Sequence, residues 1–139
     1  MKIITENFHV DTNKRGELVD ITGKVEKAIA DAGISDGAAI IYCPHTTAAI
    51  TINENADPDV VHDILLTLSA LIPQNKIGYQ HSEGNSDSHV KSSLVGCSET
   101  VIITGGRLLL GTWQGIYFCE FDGPRSRRVL VKILEEVSQ

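Results

Sequence analysis

The order of elements read from the sequence predicts an α+β domain built on an antiparallel sheet system. Three observations carry that reading. Apolar runs of strand length alternate with one helical-period segment in the first part of the chain. A long amphipathic stretch and a short polar helix follow in the middle. From Glu99 onward the pattern is strand after strand. The chain has 139 residues, 42% of them hydrophobic, which suits a single domain over residues 1–139 with its own core. It holds no internal repeat, low-complexity tract or linker.

Taken in order, residues 2–10 alternate and end in Phe8-His9-Val10, an opening strand broken by Asp11-Thr12-Asn13. Thr22 is placed to cap a helix whose apolar positions are Val25, Ala28 and Ile29, with Gly33 as its stop. Residues 38–43 have the length and apolar content of a buried strand, and residues 47–53 form the next, with Pro44 marking the irregular step between them. Asp57 caps a helix beginning at Pro58, with an apolar stripe through Val60, Val61, Ile64, Leu65, Leu68 and Leu71, and Pro73 lies beyond its end. Asn85 or Ser86 opens a short helix closed by Gly96. Residues 101–104, 108–112, 116–121 and 128–134 then read as an antiparallel meander, turning first at Gly105-Gly106.

Composition excludes several function classes. A net charge of −6 argues against nucleic acid as a partner. The apolar runs are too short to span a bilayer, and residues 1–7 have no apolar core of a secretory signal, so no membrane partner and a cytoplasmic location are expected. Cys43, Cys97 and Cys119 are odd in number and widely spaced, which suits neither a disulfide framework nor a zinc knuckle.

The densest chemistry lies in His81-Ser-Glu-Gly-Asn-Ser-Asp-Ser-His-Val-Lys91. His81 and His89, beside Glu83, Asn85 and Asp87, have the donor atoms of a mixed nitrogen and oxygen metal site, although the spacing of eight matches no diagnostic motif. The same residues also suit a solvated loop. His45, between two apolar strands, is either a third ligand or a core histidine bonded to backbone. Glu54, in Asn53-Glu54-Asn55, is either a ligand or general base or an exposed turn charge. Trp113, in Gly111-Thr112-Trp113-Gln114-Gly115, can stack on a heterocycle or fill a bulged strand. Arg125, leaving the tight turn Asp122-Gly123-Pro124, can fork onto a phosphate or simply be solvated. The start of the short helix near Ser86, with Lys91 one turn on, favours an anion. Together these residues suit a small phosphorylated metabolite beside a metal.

Five segments in this order resemble the secondary thiamine-phosphate synthase family, the YjbQ-like proteins: His45-Thr46-Thr47-Ala48, Ile52-Asn53-Glu54, His81 through Asn85, Asp87 and His89 to Lys91, Leu110-Gly111-Thr112-Trp113-Gln114, and Glu120 through Asp122-Gly123-Pro124-Arg125. The resemblance covers nearly the whole chain. It implies a sandwich-like antiparallel fold with flanking helices, a homotrimer, and a polar pocket at a subunit boundary with His45, His81 and His89 around a divalent metal, zinc or magnesium. It also implies a secondary thiamine-phosphate synthase activity, in which an aminopyrimidine-methyl diphosphate loses diphosphate and a thiazole phosphate captures the cation. In that reading Glu54, Asn85, Asp87 and Lys91 are the catalytic group, and Asn53, Thr112, Trp113, Gln114 and Arg125 bind substrate. Two alternatives use the same residues: a metal-dependent hydrolase of a phosphorylated metabolite, and a non-catalytic protein that binds a phosphate ligand.

Overall fold

The computed structural model describes residues 2–137. Eight strands and three helices follow in the order β1 (Ile3–Asp11), β2 (Glu17–Asp20), α1 (Thr22–Ala32), β3 (Gly37–Tyr42), β4 (Ala48–Glu54), α2 (Pro58–Leu71), α3 (Ser86–Val95), β5 (Ser98–Thr104), β6 (Arg107–Leu108), β7 (Gln114–Glu120) and β8 (Ser126–Glu135). They form a five-stranded sheet in the order β1-β8-β3-β5-β6 and a three-stranded sheet in the order β2-β7-β4. Every pairing is antiparallel.

The core explains the two-sheet arrangement. Ile41, Val101, Val131 and Ile133 of the larger sheet pack with Ile50, Ile116 and Phe118 of the smaller one, and Val25 and Ile29 of α1 close the cluster. β8 buries alternate side chains, Arg127, Val129, Val131 and Ile133. The smaller sheet is covered on its other face as well. Ala49, Cys119 and Phe121 meet Leu68 of α2 and Val95 of α3 there. That second cover is why β7 is buried at six of its seven positions, unlike a strand with one wet face.

The segments from Glu99 onward are strands, but they do not form the expected meander. Only β5 and β6 make a hairpin, through Gly105 (φ 58°) and Gly106 (φ 75°). β7 crosses to the smaller sheet, and β8 returns to pair with both β1 and β3. The strand β2 lacked an apolar signal and was not expected. The α1 cap also differs. Thr22 is the first helical residue, its N–H and hydroxyl bonding to Asp20, while its oxygen accepts from the Ile116 N–H at 2.9 Å. The α2 boundaries match the reading, with Asp57 accepting from Asp59 N–H at 2.9 Å. Its stripe behaves differently: no α2 side chain is buried, and Leu71 at its end is 73% exposed.

Candidate functional site

Helix α3 turns its polar side inward. Asp87, Ser88, Lys91 and Ser92, one face of the helix at i, i+1, i+4 and i+5, are its buried residues, while Val90 and Leu94 face outward. A buried polar face is stable only when its groups find partners. Here Ser88 Oγ donates to the Phe121 carbonyl. Lys91 Nζ donates to Asp87 Oδ2 at 3.1 Å, and Arg15 reaches both Asp87 oxygens, at 3.1 and 3.0 Å. Burial alone pushes the Asp87 carboxyl up; the hydrogen bonds from Arg15 and Lys91 outweigh it and hold the group below the usual carboxylate range. The same contact with Asp87 raises the Arg15 guanidinium.

A second buried ion pair lies beyond the end of α3. Arg127 on β8 grips Glu120 on β7 with Nε and Nη2, and its Nη2 also donates to Thr47 Oγ1 at 2.8 Å. Thr12 Oγ1 donates to Glu120 at 2.7 Å and accepts from Arg125 N–H at 2.8 Å, so the network also fixes the chain around the cis Gly123-Pro124 bond. These bonds hold Glu120 below its ordinary range against the upward push of burial. The side chain of Arg125 is spent locally: Nε donates to the Asp122 carbonyl at 2.8 Å and Nη2 to Asp122 Oδ2 at 2.9 Å. Asn85, expected as a cap, makes no capping bond with its side chain; its Nδ2 donates to Asp122 Oδ2 at 2.8 Å. Its Oδ1 and the Ser92 hydroxyl are buried without a partner among the described residues.

The three imidazoles are only partly gathered. The rings of His81 and His89 meet edge to face with centroids 5.5 Å apart. Two imidazoles on one tetrahedral zinc, each with its nitrogen about 2.0–2.1 Å from the metal, put their centroids about 5 Å apart, close to the spacing of this pair. His45 and His89 line one cavity of ≈ 410 Å³ with Ser92 and Cys97. His45 Nε2, however, accepts the Arg128 backbone N–H at 3.0 Å. That bond uses the lone pair a metal needs and leaves the ring protonated on Nδ1. Burial, with nearby Arg127, lowers its pKa and keeps it neutral. Among the described residues no three His, Cys, Asp or Glu side chains are grouped to hold a metal. The expected three-histidine set therefore does not form within one chain, because the His45 lone pair is already engaged.

The other expected residues sit elsewhere. In the register of β4 and β7, Ala48 pairs with Glu120 and Glu54 with Gln114. His45 and Asp122 extend from the first of these ends, and Asn53, Glu54, Thr112, Trp113 and Gln114 cluster at the second. Six residue steps of about 3.4 Å separate them by about 20 Å. At this far end Trp113 is 62% exposed, where the sequence allowed a core position. Gln114 Oε1 accepts from Gly111 N–H at 2.8 Å, and Asn53 Oδ1 accepts from Glu54 N–H at 2.7 Å. A Cβ at Gly115 would lie 2.3 Å from Asn55 Nδ2, so a larger residue there would have to displace the Asn55 side chain. The residues read from the sequence as one site thus fall into two clusters on a single chain.

Arg15, Thr12, Ser88, Glu120 and Arg127 carry the buried networks, and none was singled out from the sequence as a site residue. Arg15 stands in a polar turn, and nothing at its own position points to Asp87. Cys43 and Cys119 are inert by contrast, their thiols pushed by burial up to about 11 and about 12.

Residues 6–136 match the family model described as UPF0047 protein YjbQ-like. The chain is 62% identical over 127 residues to UPF0047 protein MJ1081 of Methanocaldococcus jannaschii, covering 91% of each chain. It is 54% identical over 129 residues to UPF0047 protein YugU of Bacillus subtilis, covering 93% of this chain and 98% of that one. Among solved structures, a YjbQ/UPF0047 family protein from Clostridium acetobutylicum superposes with a TM-score of 0.91 at 54% identity, over 93% of this chain and 99% of the other. A YbjQ-like protein of unknown function from Sulfolobus solfataricus superposes with a TM-score of 0.92 at 33% identity, over 97% and 99%.

Proposed function

We propose, from the premise that this chain belongs to the YjbQ-like UPF0047 family, that it is a transferase of the thiamine-phosphate synthase type. It joins an aminopyrimidine-methyl diphosphate to a thiazole phosphate and releases diphosphate. The observation that supports this reading is the inward polar face of α3, where a buried ammonium, Lys91, lies on the same helix as His89, whose ring meets that of His81 in the preceding loop. A departing diphosphate concentrates negative charge, and a fixed cation in a water-poor site stabilises that charge far better than one in solvent.

The remaining groups fit defined roles. Asp87 positions Lys91 and lowers the cost of burying it. Asn85 and Arg125 hold the 122–125 turn through Asp122. His81 and His89 are the residues that would hold a divalent ion. When bound, that ion would add positive charge beside the leaving group. Trp113, with Gln114, Thr112, Asn53 and Glu54, presents an exposed ring and hydrogen-bonding edge suited to a heterocycle. In a homotrimer the far end of one subunit would supply these groups to the α3 end of the next, which removes the separation of about 20 Å along one chain.

The test is a coupled assay with the purified chain. Thiamine phosphate, detected by mass, forms only when both substrates are present. Diphosphate or phosphate released from one substrate alone assigns a hydrolase instead. Ligand affinity without turnover assigns a binding protein.

A further inference from the structure

We infer that the cavity between α2 and α3 is an oxyanion subsite, in which Arg15 and Lys91 together hold a phosphoryl group. This deepens the proposed function by naming where the phosphorylated ligand is gripped, and it rests on that reading only for the identity of the ligand.

The argument begins with donors in excess. Lys91 Nζ carries three N–H donors, and its side chain is only 7% exposed. Among the described residues its one hydrogen bond goes to Asp87 Oδ2, with the Phe121 ring face 6.0 Å away. A buried ammonium with unused donors is costly unless something else completes it. Arg15 shares the same carboxylate and is still about a third exposed. Two cations on one carboxylate leave one positive charge uncompensated, in a chain whose net charge is −6. Asp122, whose charge also acts on Arg15, gives its hydrogen bonds to Arg125 and Asn85.

The space is placed to use that charge. A cavity of ≈ 220 Å³ is lined by Arg15, Lys91 and Phe121 on one side and by Leu65, Leu68 and Ser69 of α2 on the other. That is about seven times a water molecule's share of liquid volume, enough for a phosphoryl group. α2 meets this space with Leu65, Leu68 and Ser69, none of them fully buried. A guanidinium fork beside an ammonium suits the several oxygens of a phosphoryl group. Arg125, the cation that the sequence favoured for this task, is exposed and spends its bonds on Asp122.

Inorganic phosphate is the probe, titrated into the full chain and followed by calorimetry and by amide resonances. Arg15→Gln and Lys91→Gln each weaken binding by about tenfold or more, the loss of one charge-assisted contact, whereas Arg125→Gln leaves it unchanged. Arg15→Lys, which keeps the ion pair without the fork, weakens it less. Asp87→Asn removes the competing carboxylate at constant volume. It strengthens phosphate binding, so phosphate raises its Tm more than it raises that of the parent chain. A purely structural Arg15-Asp87-Lys91 cluster does not give that gain. Loss of binding in Arg125→Gln alone, no binding in the parent chain, or equal affinity for acetate each overturns the inference. Phosphate binding that depends on Arg15, with no coupled product, upholds this subsite and rejects the transferase reading. Coupled product with phosphate binding indifferent to Arg15 does the reverse.

Discussion

The two ends of the smaller sheet follow opposite designs. At the α3 end, charged groups are buried and each is held by several partners: Asp87 by Arg15 and Lys91, Glu120 by Arg127 and Thr12. At the Trp113 end, the polar groups are exposed and bonded to their own turns. A buried charge has a position fixed by its partners, and an exposed one keeps its freedom. The first end is therefore preorganised within the chain. The second is a free surface whose large ring, 62% exposed, gains only from something brought to it.

The sharpest way to break this contrast is to remove one member of a buried pair. Glu120→Ala leaves Arg127 buried and unpaired, and we expect a loss of about 3–5 kcal/mol in denaturant unfolding. Asp87→Ala should fall at the lower end of that range, because Arg15 can regain water. A loss below about 1 kcal/mol for both would mean that the networks contribute no order to this end.

Acid offers a gentler version of the same test. Asp87 and Glu120 sit below their ordinary values in the folded chain, so they bind protons less readily than in the unfolded chain. Their stabilisation is complete above the unfolded carboxyl range near pH 4 and disappears as pH falls through the depressed folded values. His45, also depressed, adds a shallower loss beginning near pH 6.5. Unfolding free energy measured against pH should show both phases, and His45→Gln, which can still accept the Arg128 N–H, should remove the shallow one.

Substitutions outside the networks should leave the fold alone. His81→Ala and His89→Ala should each abolish zinc uptake measured by elemental analysis, with stability changed by about 0.5 kcal/mol or less. Unchanged metal content in both would remove the pair from that role. Trp113→Ala should have the smallest effect on stability, within about ±0.5 kcal/mol, while lowering affinity for an aminopyrimidine if the ring stacks there. A large loss of stability would show that Trp113 packs against something in solution.

The helices and most strands were legible because they depend on local periodicity. Gly33 stops α1 in a left-handed conformation, Asp57 and Pro58 start α2, and alternation marks β8. The site was legible only in part. The chemistry of residues 81–91 stood out by composition, but Arg15 did not, since its partner lies 72 residues away. The α2 stripe suggested a buried face that the fold leaves half-open. The α3 sequence gave no warning that its polar side would be the inner one.

The sequence by itself determined most of the elements and the antiparallel α+β class, because propensity, capping and periodicity act over a few residues, and its motifs marked the family. The tertiary structure alone decided that Trp113 and Gln114 lie across the sheet from His45 and Asp122, that the His45 lone pair belongs to Arg128, and that Arg15 joins Lys91 on one carboxylate. Those outcomes depend on strand register and on the crossing of β7 and β8 between sheets. They bring together groups far apart in the chain, and no local pattern encodes such a meeting.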